Sequence, residues 1–267
     1  FAGLALFATS NPNNFTHSNR LDAVSSTANV STLFAEGSGL DYAAEYGATA
    51  GTQFSWARRL SSGTPQDTND NAQDFALVST VGPFSRAGGT LVPATLGAPG
   101  PENLASPVQR NGLIKAALLD PFASSAAPPN RARDFAPVAN GPLGTLSVRR
   151  KFRNHTGQTL SRLRFRVVDL TTAPAPAGTA DLRAVGSNAA SLVITLSNGT
   201  TTVPVLGTQV ETPPAQTLLL GGGLNSTLVT IAPAVPLAPG QLVNVEFRFG
   251  VGQTGRFRFL VNIEALP

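Results

Sequence analysis

The chain lacks cysteine and methionine, and it has few charged residues. Its 267 residues contain no Cys and no Met, and 13% of them are charged, roughly half the share usual in globular proteins. The absence of Cys excludes disulfide bonds, thiolate zinc sites and cysteine nucleophiles. The absence of Met predicts that the translated start has been removed and that a segment preceded Phe1.

Turn-forming residues are abundant. The chain has 26 Gly and 21 Pro, together with many Thr, Ser, Ala and Asn. This composition disfavours long helices and favours strands joined by turns, so we expect an all-β protein. The apolar run from Phe1 to Phe7 is too short to cross a bilayer, so we expect no membrane span.

Charge is divided unevenly along the chain. Residues 1–104 carry four Arg against eight acidic residues, which leaves this part negative. Residues 105–267 carry the other fifteen basic residues against seven acidic ones, which leaves that part positive. Opposite charges on two parts of one chain favour head-to-tail contact between copies.

The spacing of apolar residues predicts strands and a domain boundary. A Pro/Gly-rich stretch near residues 90–111 separates a domain at 1–104 from a domain at 105–267. In the second domain, strict alternation at 163–167, 243–249 and 257–263, with strands near 112–120, 143–153, 190–197, 201–210 and 225–232, predicts about seven strands in two packed sheets. The first domain has five short candidates at 2–8, 20–24, 30–34, 52–60 and 74–81.

Two blocks resemble known domains. The segments "GLALFATSNPNNFTHSNRLDAV" and "PQDTNDNAQDFALV" resemble the later portion of the lamin-tail domain, an immunoglobulin-like β-sandwich. The block from "SPVQRNGLIKAALLD" to "GQTGRFRFLVNIEALP" resembles the C-terminal β-domain that often follows it in secreted bacterial proteins. The resemblance implies two β-sandwich domains and a secreted, extracellular location at the bacterial cell surface.

The first domain departs from the family pattern. The family's opening strands, including one similar to "EFIEL", have no counterpart here, so we expect a sandwich that lacks its N-terminal strands. Such a domain exposes unpaired backbone groups along an open edge. An earlier segment of the same gene, a proteolytic trim or a strand from another copy would each account for the difference.

The segment "DTNDNAQD" at 67–74 concentrates oxygen ligands. Asp67, Asn69 and Asn71 fit positions one, three and five of an EF-hand loop, but Ala72 replaces the glycine and Val78 replaces the bidentate glutamate. Two interpretations stay open. The side chains satisfy their own backbone in an Asx-turn loop, or Asp67, Asn69, Asp70, Asn71 and Asp74 bind calcium. We expect no other cofactor.

Two further patterns resemble binding motifs. "GVGQTG" at 250–255 matches a dinucleotide fingerprint, but strands flank it on both sides, so we expect a tight turn between two adjacent antiparallel strands. "RFR" at 164–166 and 256–258 suggests nucleic-acid binding, but alternation turns the Phe inward and the Arg outward. We therefore expect no nucleic-acid partner, and a solvated or subunit-facing Arg ladder beside Glu246 and Glu264.

The sequence favours a structural role over catalysis. The two His residues lie among turn formers, and no nucleophile or acid pair is recognisable, so we expect no enzyme activity. We predict a subunit of an extracellular filament or surface layer that binds other copies through Phe1, Leu4, Leu6, Phe7, Arg256 and Arg258. The alternative is an adhesin-like or glycan-binding module that uses Trp56, Tyr42 and Tyr46.

Overall fold

The computed structural model describes residues 3–27, 31–41, 53–61, 64–85, 89–99, 112–211, 220–231 and 236–266. Within these ranges the protein is all-β, as its composition predicts, because strands dominate and the one α-helix has only four residues. Tyr42, Tyr46 and Phe1 lie outside the described residues.

The N-terminal part contains short elements. Its strands are β1 (Gly3–Phe7), β2 (Arg20–Ser25), β3 (Phe54–Arg58), β4 (Leu60–Ser61), β5 (Thr64–Pro65), β6 (Phe75–Ser79), β7 (Phe84–Ser85), β8 (Leu91–Val92) and β9 (Thr95–Leu96). The helix α1 (Asn71–Asp74) precedes β6, and 3-10 turns lie at Pro12–Asn14, His17–Asn19 and Thr32–Phe34. The strands form small sheets: β1 with β2, β3 with β6 and β9, β4 with β5, and β7 with β8.

The C-terminal part contains longer strands. They are β10 (Ile114–Leu118), β11 (Arg131–Asp134), β12 (Thr145–Asn154), β13 (Arg162–Leu170), β14 (Asp181–Val185), β15 (Ser191–Thr195), β16 (Thr202–Val210), β17 (Thr227–Thr230), β18 (Leu242–Gln253) and β19 (Phe259–Leu266). These ten described strands form one hydrogen-bonded sheet in the order β10-β12-β18-β16-β17-β13-β19, with β11 on β12, β14 on β18 and β15 on β16.

The ten-stranded sheet folds over its own apolar core. Phe165 on β13 lies 4.9 Å from Phe152 on β12 and 5.0 Å from Phe247 on β18, measured between ring centroids, although β13 pairs with neither strand. The two halves of the sheet therefore face each other. Strand β16 joins them, because Leu206 and Gly207 pair with β18 and the last part of the strand, Thr208–Val210, pairs with β17.

Alternation predicted the long strands well. The predicted strands near 143–153, 201–210 and 225–232 are confirmed as β12, β16 and β17, and the predicted strand at 2–8 is confirmed as β1. The prediction of a strand at 30–34 is wrong, because Thr32–Phe34 forms a 3-10 turn. The estimate of about seven strands is also too low. Short strands such as β11 form inside segments whose Pro content indicated surface loops.

The interpretation of "GVGQTG" as a turn between adjacent strands is wrong. Gly250 lies within β18, where it pairs with Thr145 and Arg183, and the following β19 pairs with β13. The chain therefore crosses from one half of the sheet to the other after Gln253. Glycine is required at 250 because a Cβ there would collide with the backbone of Asn140.

A backbone junction ties β9 to the ten-stranded sheet. Ala98 N donates to Leu224 O at 2.9 Å, and Leu224 N donates to Leu96 O at 2.9 Å. Gly97 and Gly223 allow this approach, since a Cβ on either would collide with a backbone oxygen of the facing segment. The domain boundary predicted after residue 104 therefore comes shortly after Leu96–Ala98, and this segment of the N-terminal part is hydrogen-bonded to the C-terminal part.

Candidate functional site: an open groove at the sheet ends

The most distinctive surface is a groove between the two end strands of the sheet order. A cavity of about 480 Å³ lies between β10, β11 and β12 on one side and β19 on the other. Phe152 and Phe247 form its floor, Ala116 and Arg150 line one wall, and Phe259 and Val261 line the other. We call this cavity the open groove. Among the described strands, β10 pairs only with β12 and β19 pairs only with β13. The groove exists because β10 and β19 do not pair with each other.

The core-facing side chains of β19 are only half covered. Phe259, Val261 and Ile263 pack on the core but stay partly exposed, whereas Phe165 and Val167 on the neighbouring β13 are fully buried. Both strands have the same alternation of apolar and polar residues. The difference follows from their position, since β13 has described neighbours on both edges and β19 has one. The apolar face of β19 therefore retains accessible area beside a free edge.

Two arginines lie on the β11–β12 side of the open groove. Arg131 and Arg150 line it, and in the described part of the chain neither forms an ion pair with a carboxylate. Burial, together with the neighbouring Arg131, lowers the pKa of the Arg150 guanidinium. Two like charges in one partly buried groove favour the approach of a negative group.

The open groove continues into a second cavity. This cavity, of about 750 Å³, shares Arg131 and Phe257 with the open groove and has Arg133 and Arg256 at its rim. Core residues such as Leu182 form part of its lining. The two cavities together make a long apolar surface with a basic border.

The predicted assembly residues divide between this surface and β1. Arg256 is exposed at the rim of the second cavity, whereas Arg258 pairs with Asp169 at 3.0 Å. On β1, the ring of Phe7 is less available than an exposed side chain for contact with another copy, because it stacks on Phe15 with centroids 4.4 Å apart. The sequence pattern did not point to Arg131, in the short strand β11, or to Arg150, within the long strand β12, because only the sheet order brings them to one groove.

Strand β1 carries two exposed leucines beside an unpaired edge. Leu4 and Leu6 are 69% and 62% exposed, and both lie on one face of the strand. Within the described residues β1 pairs only with β2, where Leu6 lies opposite Asp22. No described strand pairs with the other edge of Gly3–Phe7, and the expectation that the first domain lacks its N-terminal strands stays a prediction.

The prediction of a solvated or subunit-facing Arg ladder is wrong for Arg164 and Arg166 of β13, which are buried within their own chain. Arg164 is 1% exposed and Glu264 is 2% exposed, and Arg166 is also buried. Arg166 Nε donates to Glu264 Oε1 at 2.7 Å, and Arg164 Nε donates to Glu211 Oε2 at 2.6 Å. Glu246, predicted to be exposed, is buried and pairs with Arg149 at 2.8 Å. Alternation correctly placed these side chains opposite the Phe face, but it does not show what covers that second face.

One contact in this buried cluster is incomplete. Arg164 Nη1 and Glu264 Oε2 lie 3.5 Å apart, and neither atom makes a hydrogen bond within the described residues. Burial raises the pKa of the Glu264 carboxyl, although the hydrogen bond and charge of Arg166 act in the opposite direction. The cluster is therefore a structural ion network with a desolvation cost.

The acidic loop at 67–74 uses its oxygens within the fold. Asp70 caps α1 through Ala72 N at 3.1 Å, and Asp74 accepts from Thr68 N at 2.9 Å. Asn71 is buried and bridges to β2, accepting from Ser25 N at 3.0 Å. The described residues contain no group of three or more His, Asp or Glu side chains placed to hold a metal ion. Calcium binding by Asp67, Asn69, Asp70, Asn71 and Asp74 stays a prediction, and the geometry favours the Asx-turn interpretation.

Of the three aromatic residues offered for a glycan platform, Trp56 lies among the described residues, and Tyr42 and Tyr46 lie outside them. Trp56 on β3 pairs with Leu77 and packs on a small core cluster with Phe84 and Val92. Trp56 is thus a partly buried residue packed against a core cluster. His17 and His155 are both exposed, as their turn-rich neighbourhoods predicted.

Comparison of the chain with protein-family models, with curated proteins and with solved structures finds no match in any of the three. The resemblance to lamin-tail proteins therefore stays a prediction from sequence. No helix among the described residues has both the length and the apolar character needed to span a membrane.

Proposed function

We propose that this chain is a non-enzymatic structural subunit of an extracellular bacterial filament or surface layer, in which copies associate head to tail. The proposal includes the family assignment, with a lamin-tail-like portion at 1–104 and an immunoglobulin-like β-sandwich at 105–267. The observation that carries it is the unpaired edge of β1 with two exposed leucines, in a part of the chain whose charge is opposite to that of the rest.

The edge and exposed face of β1 favour association between copies of the chain over an isolated monomer. An unpaired strand edge with apolar side chains is a template for pairing with another chain unless it is covered or charged. Nothing on the exposed face of β1 itself carries charge, since its sequence is "GLALF". A contact that joins two different surfaces of like molecules does not close on itself unless the rotation forms a ring, so it builds filaments.

Sedimentation velocity of matched leucine variants tests this proposal. The wild type is expected to associate as concentration rises, and Leu6→Ser is expected to move association to at least tenfold higher concentration. Leu91→Ser is the control, because Leu91 is 65% exposed on β8, in the same part of the chain. A wild type that stays monomeric, or a Leu6→Ser variant that associates like Leu91→Ser, would contradict the proposal.

A further inference from the structure

We propose that the open groove receives β1 of a second copy, which adds as a new strand to the free edge of β19. This inference rests on the proposed function and names the two surfaces that meet. The occupant is a second copy of this chain, because the chain itself carries an unpaired strand whose shape and charge suit the groove.

The backbone geometry suits strand addition. Strand β19 has eight residues and β1 has five, so β1 spans about 17 Å and fits along the edge of β19. Each strand pairs on one edge only within the described residues. Joining the two free edges would extend the ten-stranded sheet from β13 through β19 to β1 and β2 of the next copy. Main-chain hydrogen bonds then supply affinity, and side-chain pockets supply selectivity.

The side chains suit the groove as well. In a strand, alternate residues share a face, so Leu4 and Leu6 enter the same space together. That space is floored by Phe152 and Phe247, and it is bordered by the partly covered Val261 of β19. Placing the two leucines there would cover apolar area that both molecules now expose, which is favourable at about 25 cal/mol per Å².

The charges favour this pairing over other edges. Asp22 lies directly opposite Leu6 in the β1–β2 pair and shares its face, so docking of Leu6 brings a carboxylate toward the groove. The groove presents Arg131 and Arg150 without a carboxylate partner in the described residues. The side chain of Asp22 remains partly exposed even though it pairs with Arg58.

Cysteine cross-linking of the full chain tests the acceptor surface, because the natural sequence has no Cys. Leu6→Cys protein is mixed with Val261→Cys protein under mild oxidation, and the mixed disulfide dimer is identified by mass spectrometry. The control is Val193→Cys, a matched substitution on β15, where Val193 is 74% exposed and β15 pairs only with β16 among the described strands. Ile263→Cys, two residues along the same face of β19, serves as a second acceptor if Val261→Cys fails to fold.

We expect the mixed dimer with Val261→Cys or Ile263→Cys to form at least tenfold faster than the dimer with Val193→Cys. Equal or faster reaction at Val193 would overturn the acceptor assignment. The acceptor assignment would also be overturned if light scattering of the mixture shows association but no cross-link forms on β19. In both cases the proposed function would stand. If the mixture shows no species above the monomer, both the proposed function and this inference fail.

Discussion

At the residue scale, the buried charges of β13 and β19 set a strong constraint on stability. Burial raises the pKa of the Glu264 carboxyl, and the hydrogen bond that Arg166 Nε donates to it at 2.7 Å acts in the opposite direction. Removing one member of a buried ion pair leaves the other charge unpaired and costs about 3–5 kcal/mol. Exposed pairs contribute about 0–1 kcal/mol.

Replacement of Arg166 should therefore be far more damaging than replacement of an exposed arginine. We expect Arg166→Met to lower the free energy of unfolding by about 3 kcal/mol. Arg258→Met should lower it by less than about 1 kcal/mol, because the Arg258–Asp169 pair is largely exposed. Urea unfolding of dilute protein measures both. Equal losses for the two variants would show that the buried cluster has no special role.

Stability should also pass through a maximum at mildly acidic pH. Burial raises the pKa of Glu264 above its ordinary value of 4.5, so its contribution is full below that value and is lost as pH rises through the folded pKa. The pKa of Asp70 is lowered, first by the Gln73 hydrogen bond, and that of Asp120 is lowered, first by Ser197. Their contributions are present above about 3.8, the ordinary Asp value, and are lost as pH falls through the folded values.

Thermal unfolding across pH 3 to 8 checks this prediction, with Glu264→Gln as the diagnostic variant. In the wild type, stability should rise as pH falls from neutral toward the ordinary Glu value, and then decline below the ordinary Asp value. Glu264→Gln should make the upper limb shallower, leaving the part contributed by Glu36, whose pKa is also raised by burial, and should leave the acid limb unchanged. An upper limb that is equally steep in Glu264→Gln would show that this carboxyl does not govern it.

At the scale of elements, the junction between β9 and the segment at 222–225 depends on two glycines. Gly97→Ala would place a Cβ against the carbonyl oxygen of Leu224, a rigid backbone atom. We expect this change to separate the two segments and to cost roughly 1–3 kcal/mol. Hydrogen exchange at the amides of Ala98 and Leu224 should accelerate, since those amides donate the junction's bonds.

Gly157→Ala is the control for this junction. Nothing lies within 4 Å of the Cβ that it would add. Exchange at Ala98 and Leu224 should stay at the wild-type rate in this variant. Slow exchange that persists in Gly97→Ala would contradict the proposed close approach.

Elements differed in how far the sequence could predict them. Strands β12, β13, β18 and β19 were predictable because one face carries mainly apolar residues and the other mainly polar ones, which produces a period of two. Strands β11 and β14 were not, because each has only four or five residues, too few to establish a period of two, and takes its place by pairing with β12 or β18. Leu4 and Leu6 were predicted as contact residues because the resemblance implied that the first strand lacks its neighbours. The open groove was not predicted, because it arises from the positions of β10 and β19 at the ends of the sheet order.

At the scale of the whole molecule, charge and apolar area have separate roles in the proposed assembly. The negative N-terminal part and the positive C-terminal part orient two copies, but salt screens this attraction beyond about 10 Å at 0.1 M. The apolar contact between β1 and the open groove is short-ranged and insensitive to such screening. Added salt should therefore slow association and weaken it several-fold without abolishing it.

Static light scattering over a concentration series, at low salt, tests the central claim of head-to-tail association most directly. An open contact between two different surfaces predicts an average mass that rises continuously with concentration and passes the dimer without a plateau. Repeating the series at about 0.5 M salt should shift the curve to higher concentration and keep its shape. A mass that stays at one chain at every concentration, or that stops at two, would contradict the account.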